Sequence, residues 1–208
     1  MNLFVEYYSH DNNLRKNEID LSILKNLSFD FIKNYYIFCE KNHIEECKKL
    51  VKDNPKVKII LVDTRCTFQY IFNYSNQINL SNENVNITLN NDIELTESFR
   101  NIKIDKNDFL CLTRWESLQD RHPFSFRSGN SQDTWIWLGI NRIKDCDFYF
   151  GILGCDNKLA YLAKNKNYNV TNPSYKYKTK HNHKSNIRKD SKDNKLRIPN
   201  PYLMVKPI

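Results

Sequence analysis

Glycine is scarce in this chain: 208 residues hold four, Gly129, Gly139, Gly151 and Gly154, all between positions 129 and 154. No Gly-x-Gly-x-x-Gly turn and no Walker lysine loop can therefore follow the first apolar run. That excludes a dinucleotide-binding Rossmann domain and a P-loop NTPase. Backbone that must bend sharply or approach a ligand closely is confined to the second half. Nucleotide chemistry in the first half would have to work through side chains. No run of about 18 apolar residues occurs, so no membrane span is expected. Met1–Tyr8 is too short and too polar for a signal peptide. The six cysteines (Cys39, Cys47, Cys66, Cys111, Cys146, Cys155) show no Cys-x-x-Cys spacing. Most sit in apolar strand-like runs and read as reduced core residues of a cytoplasmic protein.

What is present is a globular composition, 40% hydrophobic with 13% aromatic, long enough for one sizeable α/β domain. The formal charge of +8 is uneven. Lys176–Arg197 holds nine Lys/Arg and two His against two Asp, and most of the remainder is close to balanced. A basic segment that local implies an anionic partner: a nucleotide, a phosphorylated substrate or nucleic acid.

Strand and helix patterns alternate through the first half. Leu3–Tyr8, Tyr35–Cys39, Val57–Val62 and Val85–Asn90 read as strands. Asn12–Asn26, Ile44–Val51 and a segment beginning at Cys66–Phe72 read as helices between them. That order predicts a parallel α/β sheet. A helical pattern follows Asp92 through Leu95, Ser98, Phe99 and Ile102. Phe109–Glu116 and Thr134–Leu138 read as strands around the polar loop Ser117–Ser131. Phe148–Phe150 reads as a short strand and Lys158–Asn165 as a helix, with Tyr168–Asn172 and Tyr175–His181 completing a single domain over residues 1–188. Residues 189–208 are expected to form a basic, partly mobile tail.

Several short stretches carry the chemistry. Asp92 follows a strand, where an open α/β sheet places its ligand chemistry, and its oxygens suit a divalent cation. Asn-Asp is equally turn or helix-cap chemistry. Asp156, at the head of a helix on a glycine-framed turn, is either a dipole-favoured helix residue or a base for an incoming hydroxyl. His181 and His183 would share one side of an extended segment, as metal ligands do or as a solvated tail would. Arg114 and Trp115 suit a sugar face with its phosphate, or form an ordinary Arg114–Glu116 pair. Gln132 and Asp133 are polar groups just before a strand. Glu40 and Arg65, at the ends of strands two and three, flank the place where a nucleotide would lie.

In order, Asn90-Asn91-Asp92-Ile93, Leu112-Thr113-Arg114-Trp115-Glu116, Ser131-Gln132-Asp133-Thr134-Trp135-Ile136, Gly151-Ile152-Leu153-Gly154-Cys155-Asp156-Asn157 and Asn172-Pro173-Ser174 with His181-Asn182-His183-Lys184-Ser185 resemble the successive motifs of GT-A-type glycosyltransferases. The likeness is to the compact kind found in bacteria and large DNA viruses. It implies an α/β GT-A-like three-layer fold around a mostly parallel mixed sheet. By this resemblance Asn90-x-Asp92 stands at the Asp-x-Asp metal motif, Asp156 at the catalytic base, and His181 or His183 at a C-terminal metal ligand. One departure is Asn90, which leaves Asp92 as the sole acid of that motif. Asn90, Asn91, Asn157 and Lys184 would then join Glu40, Arg65, Arg114, Trp115, Gln132 and Asp133 in holding a UDP- or GDP-sugar. The resemblance further implies Mn²⁺ or Mg²⁺, with Mn²⁺ favoured by an imidazole ligand. Lys178, Lys180 and Lys184 would lie near the same phosphates. It also implies inversion by Asp156, a glycan, glycoprotein or lipid-linked acceptor, and a cytoplasmic site of action (host cytoplasm for a viral protein). Two rivals remain from the residues alone. One is a nucleic-acid-binding protein or metal-dependent nuclease using the basic segment; the other is a non-catalytic relative.

Overall fold

The computed structural model describes residues 1–79, 83–116, 129–185, 187 and 197–208. In chain order its strands are β1 Asn2–Tyr7, β2 Asn34–Glu40, β3 Val57–Val62, β4 Val85–Leu89, β5 Ile93–Glu94, β6 Asp108–Leu112, β7 Trp115–Glu116, β8 Thr134–Leu138, β9 Asn169–Thr171 and β10 Lys180–His181. The helices are α1 Asn13–Leu27, α2 Ile44–Val51, α3 Phe68–Ile78 and α4 Cys155–Asn165.

Seven strands form one sheet in the order β3-β2-β1-β4-β8-β6-β9. All pairings are parallel except those of β8, which runs against β4 and β6. The alternation along β1 explains the layers. Leu3, Val5 and Tyr7 point into one core, with Ile19 and Ile23 of α1 and Cys47 of α2. Phe4 points into the other, with Phe68 and Phe72 of α3 and Leu159 of α4. The result is helix, sheet, helix, and each fully buried aliphatic side chain in it contributes about 1.5–3 kcal/mol. This is the mostly parallel mixed sheet in three layers that the motifs imply.

The chain leaves β1 toward β2 and β3, then returns to β4 on the other side of β1. The carboxyl ends of β1 and β4 therefore border a switch point, where an open α/β sheet leaves a crevice. The antiparallel β8 begins at that same edge, since Thr134 pairs with both Leu89 and Leu112. A second, small sheet, β5-β10-β7, closes one side.

Three local expectations are corrected. The pattern after Asp92 is not an α-helix: Ile93–Glu94 pairs with β10, and only Glu97–Phe99 makes a 3₁₀ turn. Asn26 of α1 accounts for this, because its side chain donates to Ile93 O at 2.8 Å and accepts from Leu95 N at 2.7 Å, holding the segment extended. Phe109–Glu116 is two strands in different sheets, broken where Thr113 N donates to the Asn172 side chain rather than to a neighbouring strand. Phe148–Phe150 forms no strand; it makes one bridge, Thr67 to Tyr149, and spends its rings on packing, with Phe150 stacked on Phe68. Within Tyr175–His181, whose element type the sequence left open, Lys180–His181 form β10.

Within the segment expected to be a basic, partly mobile tail, residues 197–208 pack on the domain. Ile198, Leu203, Val205 and Ile208 each donate a backbone N–H to the body of the domain, and Val205 lies in the second core. The rest of that tail, residues 189–196, and most of the polar loop, residues 117–128, lie outside the described residues. No helix of the described residues is long and apolar enough to cross a membrane.

Candidate active site

A cleft of about 1060 Å³ lies at the carboxyl edge of the sheet. Its walls bring together residues from both halves of the chain: Glu6 near the end of β1 and Tyr8 just past it, Arg15 of α1, Glu40 at the end of β2, Arg65 after β3, and Asn90 and Asp92 after β4. Arg114, Gln132, Asp133, Asp156, His181 and His183 complete it. Asn91 lines a smaller recess of about 170 Å³ beside Tyr8 and Arg15.

Asp92 sits in the turn that leaves β4, closed by Ile93 N donating to Asn90 O at 3.0 Å. Its Oδ2 meets His181 Nε2 at 3.1 Å and also the Arg15 guanidinium. Burial works to raise the Asp92 carboxyl, but the hydrogen bond and charge of His181, with those of Arg15, outweigh it and hold the group well below the usual carboxylate range. For His181, burial acts to lower the pKa, yet hydrogen bonds to Asp92 and Glu116 raise it to about 9. At neutral pH both ring nitrogens thus donate, Nε2 to Asp92 and Nδ1 to Glu116 Oε2 at 3.2 Å. His183 stacks edge-on against His181 at 5.2 Å and lies 2.9 Å from Ile187 O through Nε2.

These residues fit a divalent ion. One ligand atom from each of Asp92, His181 and His183 lies within 4.8 Å of the others. An ion there would take the place of the proton that His181 Nε2 now donates to Asp92 Oδ2 across 3.1 Å, because imidazole ligates a metal only in its neutral form. One carboxylate oxygen with two imidazoles suits Mn²⁺ better than Mg²⁺, which prefers oxygen throughout.

Asn90 turns its amide away from that cluster. Its Nδ2 donates to Asp133 Oδ1 at 2.9 Å, and its backbone N–H donates to Asp133 O at 3.1 Å. Asp133 also receives Arg114 Nη1 on both oxygens at 3.0 Å, and Arg114 Nε reaches Glu116 Oε1 at 3.2 Å. A continuous line of charge-assisted hydrogen bonds thus crosses the cleft floor from Asn90 through Arg114, Glu116 and His181 to Asp92 and Arg15. An aspartate at position 90 would face the Asp133 carboxylate, which is why an amide stands there.

Asp156 is in the first turn of α4, where free backbone N–H groups favour an anion. Gly154 caps the helix with φ +84°, a conformation that favours glycine. The Asp156 Oδ2 accepts from Gln132 N at 3.0 Å and Oδ1 from Asn157 N at 2.9 Å. Burial dominates here and, aided by the nearby Asp133 charge, lifts the carboxyl to about 6 against those two hydrogen bonds. Leu203 N donates to Asn157 O, Asn157 Nδ2 donates to Asn130 O, and Val205 N donates to Gly129 O. The chain's last segment thereby ties the Gly129–Gln132 loop to the head of α4.

At the far end, Glu6 Oε1 accepts from Cys66 N at 2.7 Å and Oε2 from Arg65 Nε at 3.4 Å. Burial raises the Glu6 carboxyl, with Arg65 only partly opposing it. Arg65 also donates to Phe150 O at close range.

Three residues expected to hold the donor, Trp115, Asn157 and Lys184, line neither the cleft nor the recess. Trp115 donates Nε1 to Ser174 O and carries Lys178 Nζ 3.9 Å above its ring. Asn157 supports the Asn130 backbone, and Lys184 is exposed. Glu116 acts from behind, through His181. Lys178 and Lys180 are likewise outside the lining, and among the described residues the lysine and arginine side chains that line the cleft are Arg15, Arg65 and Arg114. Arg15, Glu6, Tyr8 and Glu18 were not evident from motif reading. The available signal was Asn12, whose side chain caps α1 at Leu14 N and Arg15 N and so sets a cation in its first turn.

No protein-family model matches the chain, and no curated protein sequence matches it. Solved structures do match. A Bacillus anthracis protein described as a glucose-1-phosphate thymidylyltransferase, solved with sucrose, superposes at TM-score 0.54 and 9% identity over 86% of this chain and 87% of its own. Residues 1–349 of S. aureus TarS give 0.52 and 13% over 86% and 59%. The mannosyltransferase PcManGT from Pyrobaculum calidifontis, in complex with GDP-Man and Mn²⁺, gives 0.50 and 8% over 83% and 54%. The chain spans little more than half the length of the latter two. Its fold is that of the GT-A, or nucleotide-diphospho-sugar, transferases.

Proposed function

We propose that this GT-A-fold chain is a glycosyltransferase that moves a sugar from a nucleoside-diphosphate sugar to a hydroxyl acceptor, with a divalent metal and with inversion. One observation carries the reading: Asp92, Asp156, His181 and His183, scattered over half the sequence, line a single cleft at the switch point of the sheet. The cleft is large enough for a nucleotide-sugar with room for an acceptor.

The nucleoside would lie toward Glu6, Tyr8, Glu40 and Arg65, and the sugar toward Gln132 and Asp133. A metal held by Asp92, His181 and His183 would neutralise charge on the departing diphosphate. Asp156 would accept the proton of the acceptor hydroxyl. The hydroxyl oxygen then bonds to the anomeric carbon as the bond to the diphosphate oxygen breaks, and that electron pair leaves with the nucleoside diphosphate. A lone base on the side of attack supports inversion.

The test is donor turnover. Purified protein with Mn²⁺ is offered a panel of UDP- and GDP-sugars, with release of UDP or GDP as readout, with and without simple glycan acceptors. Release from at least one donor, lost in Asp156→Asn, is expected. Panel-wide silence, together with no donor binding, would remove the transferase reading.

A further inference from the structure

Arg15 breaks two rules at once. It stands in the first turn of α1, which holds no acidic residue, where exposed backbone N–H groups disfavour a cation. Its guanidinium is also buried, at 8% side-chain exposure, against 11% for Asp92 and 10% for Glu18. Charges are rarely buried unless paired, and local rules tend to be broken where a protein has a site to build. The pairing is specific. Nη2 lies on Asp92 Oδ2, while Nη1 reaches Glu18 Oε2 at 3.1 Å and Asn182 O at 3.4 Å. Glu18 in turn receives Ser185 N at 2.6 Å and Ser185 Oγ at 3.0 Å, so the segment carrying both histidines is fastened to the helix carrying Arg15.

The guanidinium therefore rests on the one carboxylate of the candidate metal cluster, a site already reduced to a single acid by Asn90. We infer that Arg15 is a resident cation of this carboxylate, competing with a divalent ion for Asp92 until a nucleoside diphosphate draws the guanidinium away. The inference rests on the metal reading proposed above and deepens it. A dication arriving alone meets a carboxylate whose charge is already matched, next to a fixed positive group in a poorly solvated wall. A diphosphate changes that balance. Arg15 faces the cleft, and a planar guanidinium binds phosphate oxygens as well as carboxylate. Metal and nucleotide would then bind each more tightly in the other's presence, by the same factor from either side.

The experiment reads Mn²⁺ binding directly, from the electron paramagnetic resonance signal of free Mn²⁺, for the full chain as wild type, Arg15→Met and Arg15→Lys. Each is titrated alone and with saturating UDP or GDP. Without nucleotide, Arg15→Met is expected to bind Mn²⁺ at least about tenfold more tightly than wild type, and the gain conferred by nucleotide should shrink by a similar factor. Arg15→Lys keeps the charge but loses the two-pronged hold, and should fall between them. Should Arg15→Met fail to give the wild-type circular dichroism spectrum, the lysine variant decides, and nucleotide-free affinity equal to wild type overturns the inference. Equal affinity in a folded Arg15→Met does the same while leaving the metal site standing. If none of the three proteins takes up Mn²⁺ even with nucleotide, the metal reading falls and the Arg15 role with it.

Discussion

His181 Nε2 stands 3.1 Å from Asp92 Oδ2 across 89 residues of sequence, and its other nitrogen stands 3.2 Å from Glu116. The backbone fixes this meeting. β10 pairs with β5, which starts one residue after Asp92, and with β7, which ends at Glu116. Asn182 N further donates to Asp92 O at 2.8 Å. The small sheet is thus the frame that delivers the C-terminal imidazoles to the end of β4.

Removing the Asp92 carboxylate takes one anion from two buried cations, leaving Arg15 only Glu18 and His181 only Glu116 as acidic partners. Asp92→Ala should lower folding stability by about 3–5 kcal/mol, read as a shift in the urea midpoint. Because the native carboxyl is held below its ordinary value, its contribution is complete above about pH 4 and fades as pH falls below the unfolded-chain value of about 3.9. Acid unfolding of the variant should accordingly be flatter than that of wild type. A midpoint unchanged within error would show that the pair does not stabilise the fold.

Restoring the missing acid should not help. Asn90→Asp places a carboxylate where an amide now donates to Asp133 at 2.9 Å. The expected result is a loss of about 1–3 kcal/mol in stability with no tighter Mn²⁺ binding. Calorimetric titration that found stronger metal uptake and an unaltered melting temperature would contradict this account of Asn90.

The proposed base, Asp156, could take a proton only when ionised, and burial lifts its carboxyl to about 6. Transfer measured as kcat/KM should therefore climb with pH, half-maximal near 6, and level off above 7. Asp156→Asn should reduce kcat about 10²–10⁴-fold while changing donor affinity little. A profile flat from pH 5 to 8, or a variant with native turnover, would assign the base elsewhere.

Gly154 carries the head of α4, and a Cβ there would lie 2.6 Å from the Tyr202 hydroxyl, at a φ of +84°. Gly154→Ala should cost about 1–3 kcal/mol and lower kcat more than it weakens donor binding, since Asp156 is two residues on. Equal kcat in a folded variant would detach the C-terminal segment from catalysis.

Much of the scaffold was legible because its physics is local. The apolar run of β1, the alternation Val85, Ile87, Leu89 of β4 and the apolar spacing of α1 mark those elements in the sequence, and Asp92 and Asp156 stand out at element ends. What escaped reading depended on distant partners. Nothing near Asp92 in sequence foretells Arg15, and only the Asn26 side chain reveals that the stretch after Asp92 is extended. The tail lysines looked like phosphate ligands because charge is visible in sequence and direction is not. Residues 197–208 looked like an unanchored tail because their anchors are backbone hydrogen bonds, which composition does not report.

The central claim is that the walls around Asp92, Asp156 and the two histidines form one metal-assisted donor site. Calorimetric titration of UDP- and GDP-sugars into wild type, with Mn²⁺ and again with EDTA, tests it most directly. At least one donor should bind about tenfold or more tightly with the metal, and Asp92→Ala should abolish that difference. Identical affinities with and without Mn²⁺ for every donor that binds would contradict it.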